Sequence, residues 1–446
     1  MKIKQFEDRY LSHYSYAILS ECEKKIVLID PSRNPEQYYE YAREEQAQIT
    51  GVIETHSHAD FVSSHLEIHQ ATGAQIYASK HMQPVFPFTP FDDGDIIEIG
   101  HIKLKSLNTP GHSNDSISIV LEHNGTDKAV FTGDTLFIGD IGRPDLRETQ
   151  QNAAALREEL AEKMYYSLRD RLMTLHEEVT VYPAHGAGTL CGKSLSSSKS
   201  STIGNEKISN WALQPMTPGQ FISELTSNQP FIPAYFSFDV QTNISGAPSF
   251  EESVSRVKIS EAQAEKTSGG TWIVDTRAEH IFKKGHLPHS VNIMEGEKFE
   301  TWLGTIIRPD ESFYLAGGTS DQLVRMIRRS ASIGYESLIK GAFVINDADE
   351  QNPILDLDHF KAHKDLYTII DVRNRSEMEE KKVFENSISI PLPELRNRIN
   401  EIPTSGPIVV HCAGGYRSAA ASSIISSETG SPAPVYDLGE AVKQFG

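Results

Sequence analysis

Thr55-His56-Ser57-His58-Ala59-Asp60-Phe61 decides how the first half of this chain folds. His56, His58 and Asp60 stand at alternating positions directly after the apolar run Ile49-Thr50-Gly51-Val52-Ile53. That arrangement suits a strand ending in a loop, with two imidazoles and a carboxylate converging on a cation. Phe61 comes next and cannot ligate a metal.

Three more candidate ligands follow strand-like runs. His112 lies in Thr109-Pro110-Gly111-His112-Ser113, Asp134 in Phe131-Thr132-Gly133-Asp134-Thr135, and His185 in Tyr182-Pro183-Ala184-His185-Gly186. The chain has 17 histidines, so one alone carries little weight, whereas an ordered set at strand ends points to a metal site.

Around these motifs the first half alternates short strands with helical stretches. Tyr16–Leu19 and Ile26–Asp30 read as a hairpin, 35–47 as an amphipathic helix, and 61–72 as helical. Gln75–Ala78, 96–107, 116–122, 128–133 and Val179–Tyr182 read as strands, and 150–175 as a long helix. The expected fold is α/β, two packed sheets with outer helices in an αββα sandwich over residues 1–248. The Ser-rich stretch 194–202 is a loop by composition, and 205–250 belongs to the periphery of this domain.

The second half contains a repeat. Ile273-Val274-Asp275-Thr276-Arg277 matches Ile369-Ile370-Asp371-Val372-Arg373, and Tyr314-Leu315-Ala316-Gly317-Gly318-Thr319 matches His411-Cys412-Ala413-Gly414-Gly415-Tyr416. Two tandem α/β modules, 249–348 and 352–446, fit this spacing. On this matching Leu315 stands at the cysteine position and Ser320 at the arginine position of the first copy, which is read as an inert spacer or docking module.

The loop Cys412-Ala413-Gly414-Gly415-Tyr416-Arg417 follows the apolar strand Ile408-Val409-Val410 and opens a helix. Its glycines let successive N–H groups turn inward as an anion nest, and the helix N-terminus adds positive potential. That cradle favours Cys412 as a thiolate, with Arg417 completing the anion site. Only four residues separate Cys412 from Arg417, a ring suited to a single sulfane sulfur on the cysteine rather than to phosphate. Cys191, in Leu190-Cys191-Gly192-Lys193, reads as a packed loop residue, with a reactive thiol as the alternative, and Cys22 reads as structural.

Composition bounds the rest. With 446 residues the chain is expected to hold two or three domains. Hydrophobic content of 38% and charged content of 23% are those of a globular protein. A formal charge of −19 argues against nucleic acid as a partner. No apolar run is long enough for a bilayer, and the N-terminus lacks the apolar core of a secretory signal. Three cysteines in a chain of this length argue for a reducing, cytoplasmic setting.

The motif at 56–61 resembles the metallo-β-lactamase superfamily signature His-x-His-x-Asp-His in every position but the sixth. A two-metal hydrolase of that superfamily would need Asp60, a histidine at 61, Asp134 and His185 around its second ion. The remaining arrangement is one ion on His56, His112 and Asp134, which suits Fe(II) that must also bind substrate and O₂. Zinc in a three-ligand hydrolytic site fits the same donors. The chain further resembles the persulfide dioxygenase branch, which implies one Fe(II) per chain on His56, His112 and Asp134. In that branch His58, Asp60 and His185 are not ligands but orient ligands or hold water. The stretch Gly139–Leu146 also resembles this branch. Arg143 within it could bind the carboxylates of a thiol carrier or pair with Asp145 to brace the loop.

The repeated modules resemble rhodanese (sulfurtransferase) domains, the first through Gly285-His286-Leu287-Pro288 and the second through its cysteine loop. Taken together, the chain is similar to bacterial fusions of a persulfide dioxygenase with two rhodanese domains. This implies oxidation of a low-molecular-weight thiol persulfide by O₂ to sulfite, with sulfur transfer through Cys412 giving thiosulfate, as sulfide detoxification. A homo-oligomer is the expected assembly. The alternatives are a glyoxalase-II-like zinc thioester hydrolase joined to a sulfur carrier, and a non-catalytic persulfide-sensing or docking protein.

Overall fold

Tyr16 and Ile18 of one strand lie opposite Ile29 and Val27 of the next, and together they form the inner face of a two-sheet sandwich. The computed structural model describes residues 1–146, 153–193, 195–260, 270–346, 348, 350–430 and 433–445. It divides into two units, Met1–Glu252 with Ser332–Gly334, and Ser253–Ala331 with Tyr335–Gly446.

In the first unit one sheet runs Lys2–Asp8, His13–Ser20, Lys25–Ile29, Gln48–Ile53, Gln75–Ala78, Thr89–Pro90. The other runs Ser201–Thr202, Thr180–Pro183, Thr126–Gly133, Ile117–His123, Ile102–Asn108, Ile96–Ile99. Ile53, Phe91, Leu104, Ile119 and Phe131 meet Tyr16 and Ile18 between the sheets. On the outer face of the first sheet, Tyr38 and Tyr41 of helix Glu36–Glu44 and Ile68 of helix His65–Thr72 cover Ala17, Leu28 and Val52. Across the molecule, Ala161 and Met164 of helix Ala153–Tyr166 and Phe221 of helix Pro218–Thr226 cover Val130 and Val181. Each large side chain so buried contributes roughly 1.5–3 kcal/mol. The order helix, sheet, sheet, helix is the expected αββα sandwich.

Three local expectations are corrected. The stretch 96–107 is two strands, because the chain turns back after Ile99 and pairs with its own continuation at Ile102. The stretch 61–72 is helical only from His65; Ser63 N–H donates to Asn243 Oδ1 at 2.8 Å, and Asn243 Nδ2 donates to the carbonyls of His58 and Phe61. A side chain from helix Phe236–Ser245 thus takes the backbone groups that a longer helix would have used. In the third case the helix expected over 150–175 continues past Tyr166 as a wider turn, Ser167–Arg171, and a tight one, Leu172–Thr174. Its first residues, 150–152, lie outside the described residues, as does Ser194 at the start of the Ser-rich loop.

The second unit holds two parallel sheets. One runs Ile259–Ser260, Ile339–Val344, Phe313–Gly317, Ile273–Asp275, Ser290–Asn292, and the other Ile388–Ser389, Thr368–Asp371, Ile408–His411, Val435–Asp437. Each Asp-x-Arg is a closed device. Arg277 Nη2 lies 2.6 Å from Asp275 Oδ2, and Arg373 Nη2 lies 2.6 Å from Asp371 Oδ2.

Strand register corrects the matching of the two copies. Asp371 pairs with His411, so Cys412 follows directly, whereas Asp275 pairs with Ala316, so Gly317 follows. Gly317, not Leu315, therefore stands where the second copy has its cysteine. Counting on five residues puts Gln322, not Ser320, at the arginine's place, and Gln322 Oε1 accepts from Gly318 N–H at 2.8 Å. Aligning the two Gly-Gly pairs had slipped the copies by two residues; the pairing with the Asp-x-Arg strand is the sounder ruler. The position still lacks a thiol. Among the described residues no helix is long and apolar enough to cross a membrane.

Candidate metal centre and cysteine loop

Strand ends from both sheets bring His56, His112 and Asp134 together, buried, with donor atoms within 4.8 Å of one another. Asp134 Oδ2 lies 3.9 Å from His56 Nε2 and 3.6 Å from His112 Nε2. The other nitrogen of each ring is used outward. His56 Nδ1 lies 3.0 Å from Thr55 Oγ1, which donates to Asp30 Oδ2 at 2.8 Å, and His112 Nδ1 lies 2.8 Å from the Arg143 carbonyl. Both rings are thereby turned with Nε2 toward the centre. Asp134 Oδ2 is buried with no hydrogen-bond partner. An orphaned carboxylate oxygen facing two oriented imidazoles fits a bound cation. Gly142 closes over this centre, where an added Cβ would meet the Asp134 carbonyl at 2.0 Å and His112 Nδ1 at 3.1 Å.

Burial pushes the His56 imidazole well below its ordinary value, which keeps it neutral and able to ligate. Burial alone would raise the Asp134 carboxyl, but the charge of His185 and its hydrogen bond outweigh burial and hold Asp134 well below the carboxylate range. His185 bridges two carboxylates, with Nδ1 2.8 Å from Asp134 Oδ1 and Nε2 2.8 Å from Asp60 Oδ2. Although burial works against its charge, these two neighbours raise His185 well above its ordinary value.

His58 turns away from the triad. Its Nε2 lies 3.1 Å from Asp30 Oδ1 and 3.3 Å from Glu54 Oε2, and those carboxylates overcome burial to lift it to about 10. Phe61 is packed between His13 and His58, at ring centroid distances of 3.9 and 4.3 Å.

Arg143, one of the candidate substrate contacts, is 1% exposed and grips Asp145 with Nε and Nη2 at 2.6 and 2.7 Å. Its Nη1 reaches the carbonyls of Leu190 and Phe231, so the side chain braces the loop while the backbone carbonyl orients His112. Cys191 is buried beside Asp60 and His185, and burial followed by the charges of Asp60 and Asp134 pushes its thiol well up. Sequence reasoning missed His13, Asp30, Glu54 and Asn243. Asp30 carried a usable signal, since it closes an apolar strand as Asp134 does. His13 and Asn243 carried none, because only the tertiary fold brings them to the motif.

In the second unit Cys412 is buried at a strand end, and the N–H of Gly415 points to its Sγ at 3.1 Å. Gly415 makes that turn at φ +103°, a region that glycine alone enters without strain. Ala413 and Gly414 complete the loop. Tyr416 donates its hydroxyl to the Met294 carbonyl at 2.8 Å. Arg417 is held by Glu377 through a bidentate pair at 2.5 and 2.8 Å.

The sequence profile described as the metallo-beta-lactamase superfamily matches residues 10–185, and that of the rhodanese-like domain matches 356–445. The chain is 30% identical over 232 residues to a cytoplasmic hydroxyacylglutathione hydrolase of Arabidopsis thaliana, covering 49% of this chain and 83% of that protein. It is 28% identical over 174 residues to the mitochondrial persulfide dioxygenase ETHE1 of Bos taurus, covering 39% of this chain and 63% of that protein. Among solved structures, a metallo-beta-lactamase from Staphylococcus aureus subsp. aureus COL superposes with a TM-score of 0.67 at 30% identity, over 77% of this chain and 99% of that one. The chain belongs to the metallo-β-lactamase superfamily, with a rhodanese-like domain following that fold.

Proposed function

We propose that this protein is a persulfide dioxygenase coupled to a sulfurtransferase, built as modules 1–248, 249–348 and 352–446. The observation that carries the reading is the orphaned Asp134 Oδ2 facing His56 and His112, next to a motif whose sixth position, Phe61, offers no ligand. His56, His112 and Asp134 would hold one Fe(II). When bound, that ion supplies the Lewis acidity and redox capacity that O₂ chemistry on sulfur requires. The overall conversion, RSSH + O₂ + H₂O → RSH + H₂SO₃, turns a thiol persulfide into sulfite and free thiol.

The chain's own groups do the remaining work. Thr55 and the Arg143 carbonyl fix the two imidazoles, and His185 keeps a proton between Asp134 and Asp60. Phe61 packs against His13 and His58, one of the motif's own histidines, and offers the ion no donor. In the second unit the Cys412 thiolate attacks the sulfane sulfur of RSSH, releasing RS⁻ and leaving Cys412–S–SH. Sulfite then attacks the outer sulfur of the deprotonated persulfide, regenerating the Cys412 thiolate and giving thiosulfate. The N–H of Gly415 and the guanidinium of Arg417 would stabilise these anions. The physiological partners are therefore a low-molecular-weight persulfide, O₂ and sulfite.

The test is O₂ uptake by the iron-loaded protein with a panel of persulfides, assaying sulfite and thiosulfate together. One O₂ consumed per sulfite formed supports the proposal. Thioester cleavage without O₂ uptake would replace it with a glyoxalase-II-like hydrolase, and binding without either reaction would replace it with a persulfide sensor.

A further inference from the structure

We propose that Glu377 sets the charge selectivity of the Cys412 loop. By cancelling the charge of Arg417 it favours singly charged sulfur donors over dianions such as thiosulfate. This rests on the sulfurtransferase reading of Cys412 and adds the class of donor.

Arg417 Nη1 and Nη2 meet Glu377 Oε2 and Oε1 at 2.5 and 2.8 Å. Burial works against the Arg417 charge, but Glu377 and then Cys412 hold it above its ordinary value, so the guanidinium serves both the carboxylate and the thiol. A bidentate pair uses one N–H of each Nη and leaves the other donors of the fork for the loop. Arg417 can therefore still donate to a reacting sulfur, while the pair as a whole carries no net charge. What remains to attract an anion is the Gly415 N–H and the N-terminus of helix Tyr416–Thr429. These are partial charges, which suit one negative charge better than two. The same balance lets a thiosulfate product leave. The loop is open at Gly414, where an added Cβ would meet nothing within 4 Å.

Glu377 also caps a helix. Its Oε2 accepts from the Asn374 N–H at 3.0 Å, in a capping box at the start of helix Arg375–Glu380. The first copy shows that capping alone does not explain the carboxylate. There Arg277 reaches the carbonyl of Gly285 as Arg373 reaches that of Lys381, so the spacing of the two copies is unchanged. On that spacing Ile281 stands where the second copy has Glu377, and helix Glu279–Lys284 forms with no side-chain cap. The copy without the thiol and the arginine thus lacks the carboxylate as well, and its helix does not need one.

The test gives the full chain cyanide as acceptor and one of two donors of similar shape. These are thiosulfate and methanethiosulfonate, in which a methyl group replaces one charged oxygen. The Cys412 thiolate attacks the outer sulfur and the S–S bond breaks. Sulfite or methanesulfinate leaves with the electron pair, and cyanide then takes the sulfur as thiocyanate and returns the thiolate. Glu377→Gln is expected to raise kcat/KM for thiosulfate relative to methanethiosulfonate roughly 3- to 10-fold, mainly through a lower KM. Glu377→Asp, which keeps the charge, should stay near the parent ratio. The rate of Cys412 alkylation by iodoacetate relative to iodoacetamide, read by peptide mass spectrometry, should shift the same way without any sulfur transfer. Both ratios unchanged in Glu377→Gln, or both donors falling together, overturns the proposal. A parent chain that forms no thiocyanate, while the alkylation ratio still shifts, supports the charge balance and removes the sulfurtransferase reading.

Discussion

The ring of Phe61 lies against that of His13, with centroids 3.9 Å apart and planes tilted by 33°. Phe61 is 1% exposed, and its other neighbour, His58, is tied to Asp30 and Glu54. The phenyl ring thus fills space that the motif elsewhere gives to a ligand. Phe61→Ala is expected to destabilise the first unit by about 3–5 kcal/mol, the loss typical of emptying a buried aromatic position. Phe61→Leu, which keeps more of the volume, should lose less and leave the metal content unchanged. Urea unfolding followed by a probe in the first unit, alongside metal analysis, checks both.

Thr55 links the centre to the fold behind it. Its hydroxyl meets His56 Nδ1 at 3.0 Å and donates to Asp30 Oδ2 at 2.8 Å. Thr55→Val keeps the shape and removes that link. Metal affinity at the His56–His112–Asp134 centre is expected to fall roughly 10–100-fold, the range for losing an outer hydrogen bond to a ligating histidine. Competition with a chelator of known affinity measures the change.

His56, His112 and Asp134 were readable from the sequence because each closes an apolar strand, and strand ends of a sandwich converge. The αββα order was readable for the same reason, since runs of alternating apolar residues between helical stretches leave few other ways to bury both faces. Asn243 was not, although it fixes the turn at Phe61, because its role depends on contacts across a long separation in the chain. Arg143 was legible as important and not as to how; only packing shows its guanidinium committed to Asp145 and its carbonyl to His112. The slipped matching of Leu315 with Cys412 has the same origin, since identical Gly-Gly pairs outweigh strand register when no register is visible.

The two proposed chemistries are expected to separate at Cys412. Cys412→Ser should stop thiosulfate production while O₂ uptake and sulfite release continue at the unaltered rate. The serine hydroxyl fits the loop and can accept from Gly415, so the fold of the second unit is kept. Loss of O₂ uptake as well would show that the thiol also serves the oxidation proposed for the first unit.

Glu377 gives the second unit a pH dependence with a definite sign. Burial opposes its charge, but its hydrogen bonds from Arg417 and that residue's charge outweigh burial and hold the carboxyl below its ordinary 4.5. A lowered carboxylate stabilises the fold above the unfolded value, and that contribution disappears as pH falls through the lower, folded value. Glu377→Gln should therefore be less stable than the parent at neutral pH, and the gap should close as pH drops below about 4.5. Thermal unfolding at a series of pH values follows the gap; a gap that stays constant to the acid end would place the contribution elsewhere.

Tyr416 ties the cysteine loop to the preceding module of the same unit. It sits between Cys412 and Arg417 in sequence, and its hydroxyl donates to the Met294 carbonyl at 2.8 Å. Gly296, two residues on, lies so close that an added Cβ would meet Tyr416 Cε2 at 3.1 Å. A module without a cysteine thereby sets where the Cys412 loop stands. Tyr416→Phe removes one hydrogen bond, worth about 0.5–1.5 kcal/mol net, and should lower kcat/KM for sulfur transfer by up to about tenfold. Gly296→Ala presses the ring from the other side and should act in the same direction. O₂ uptake, proposed for the first unit, should be unchanged in both variants. A sulfur-transfer assay with sulfite as acceptor, run beside O₂ uptake on the same preparations, separates loop positioning from general unfolding, because unfolding of the second unit would also remove its thermal transition.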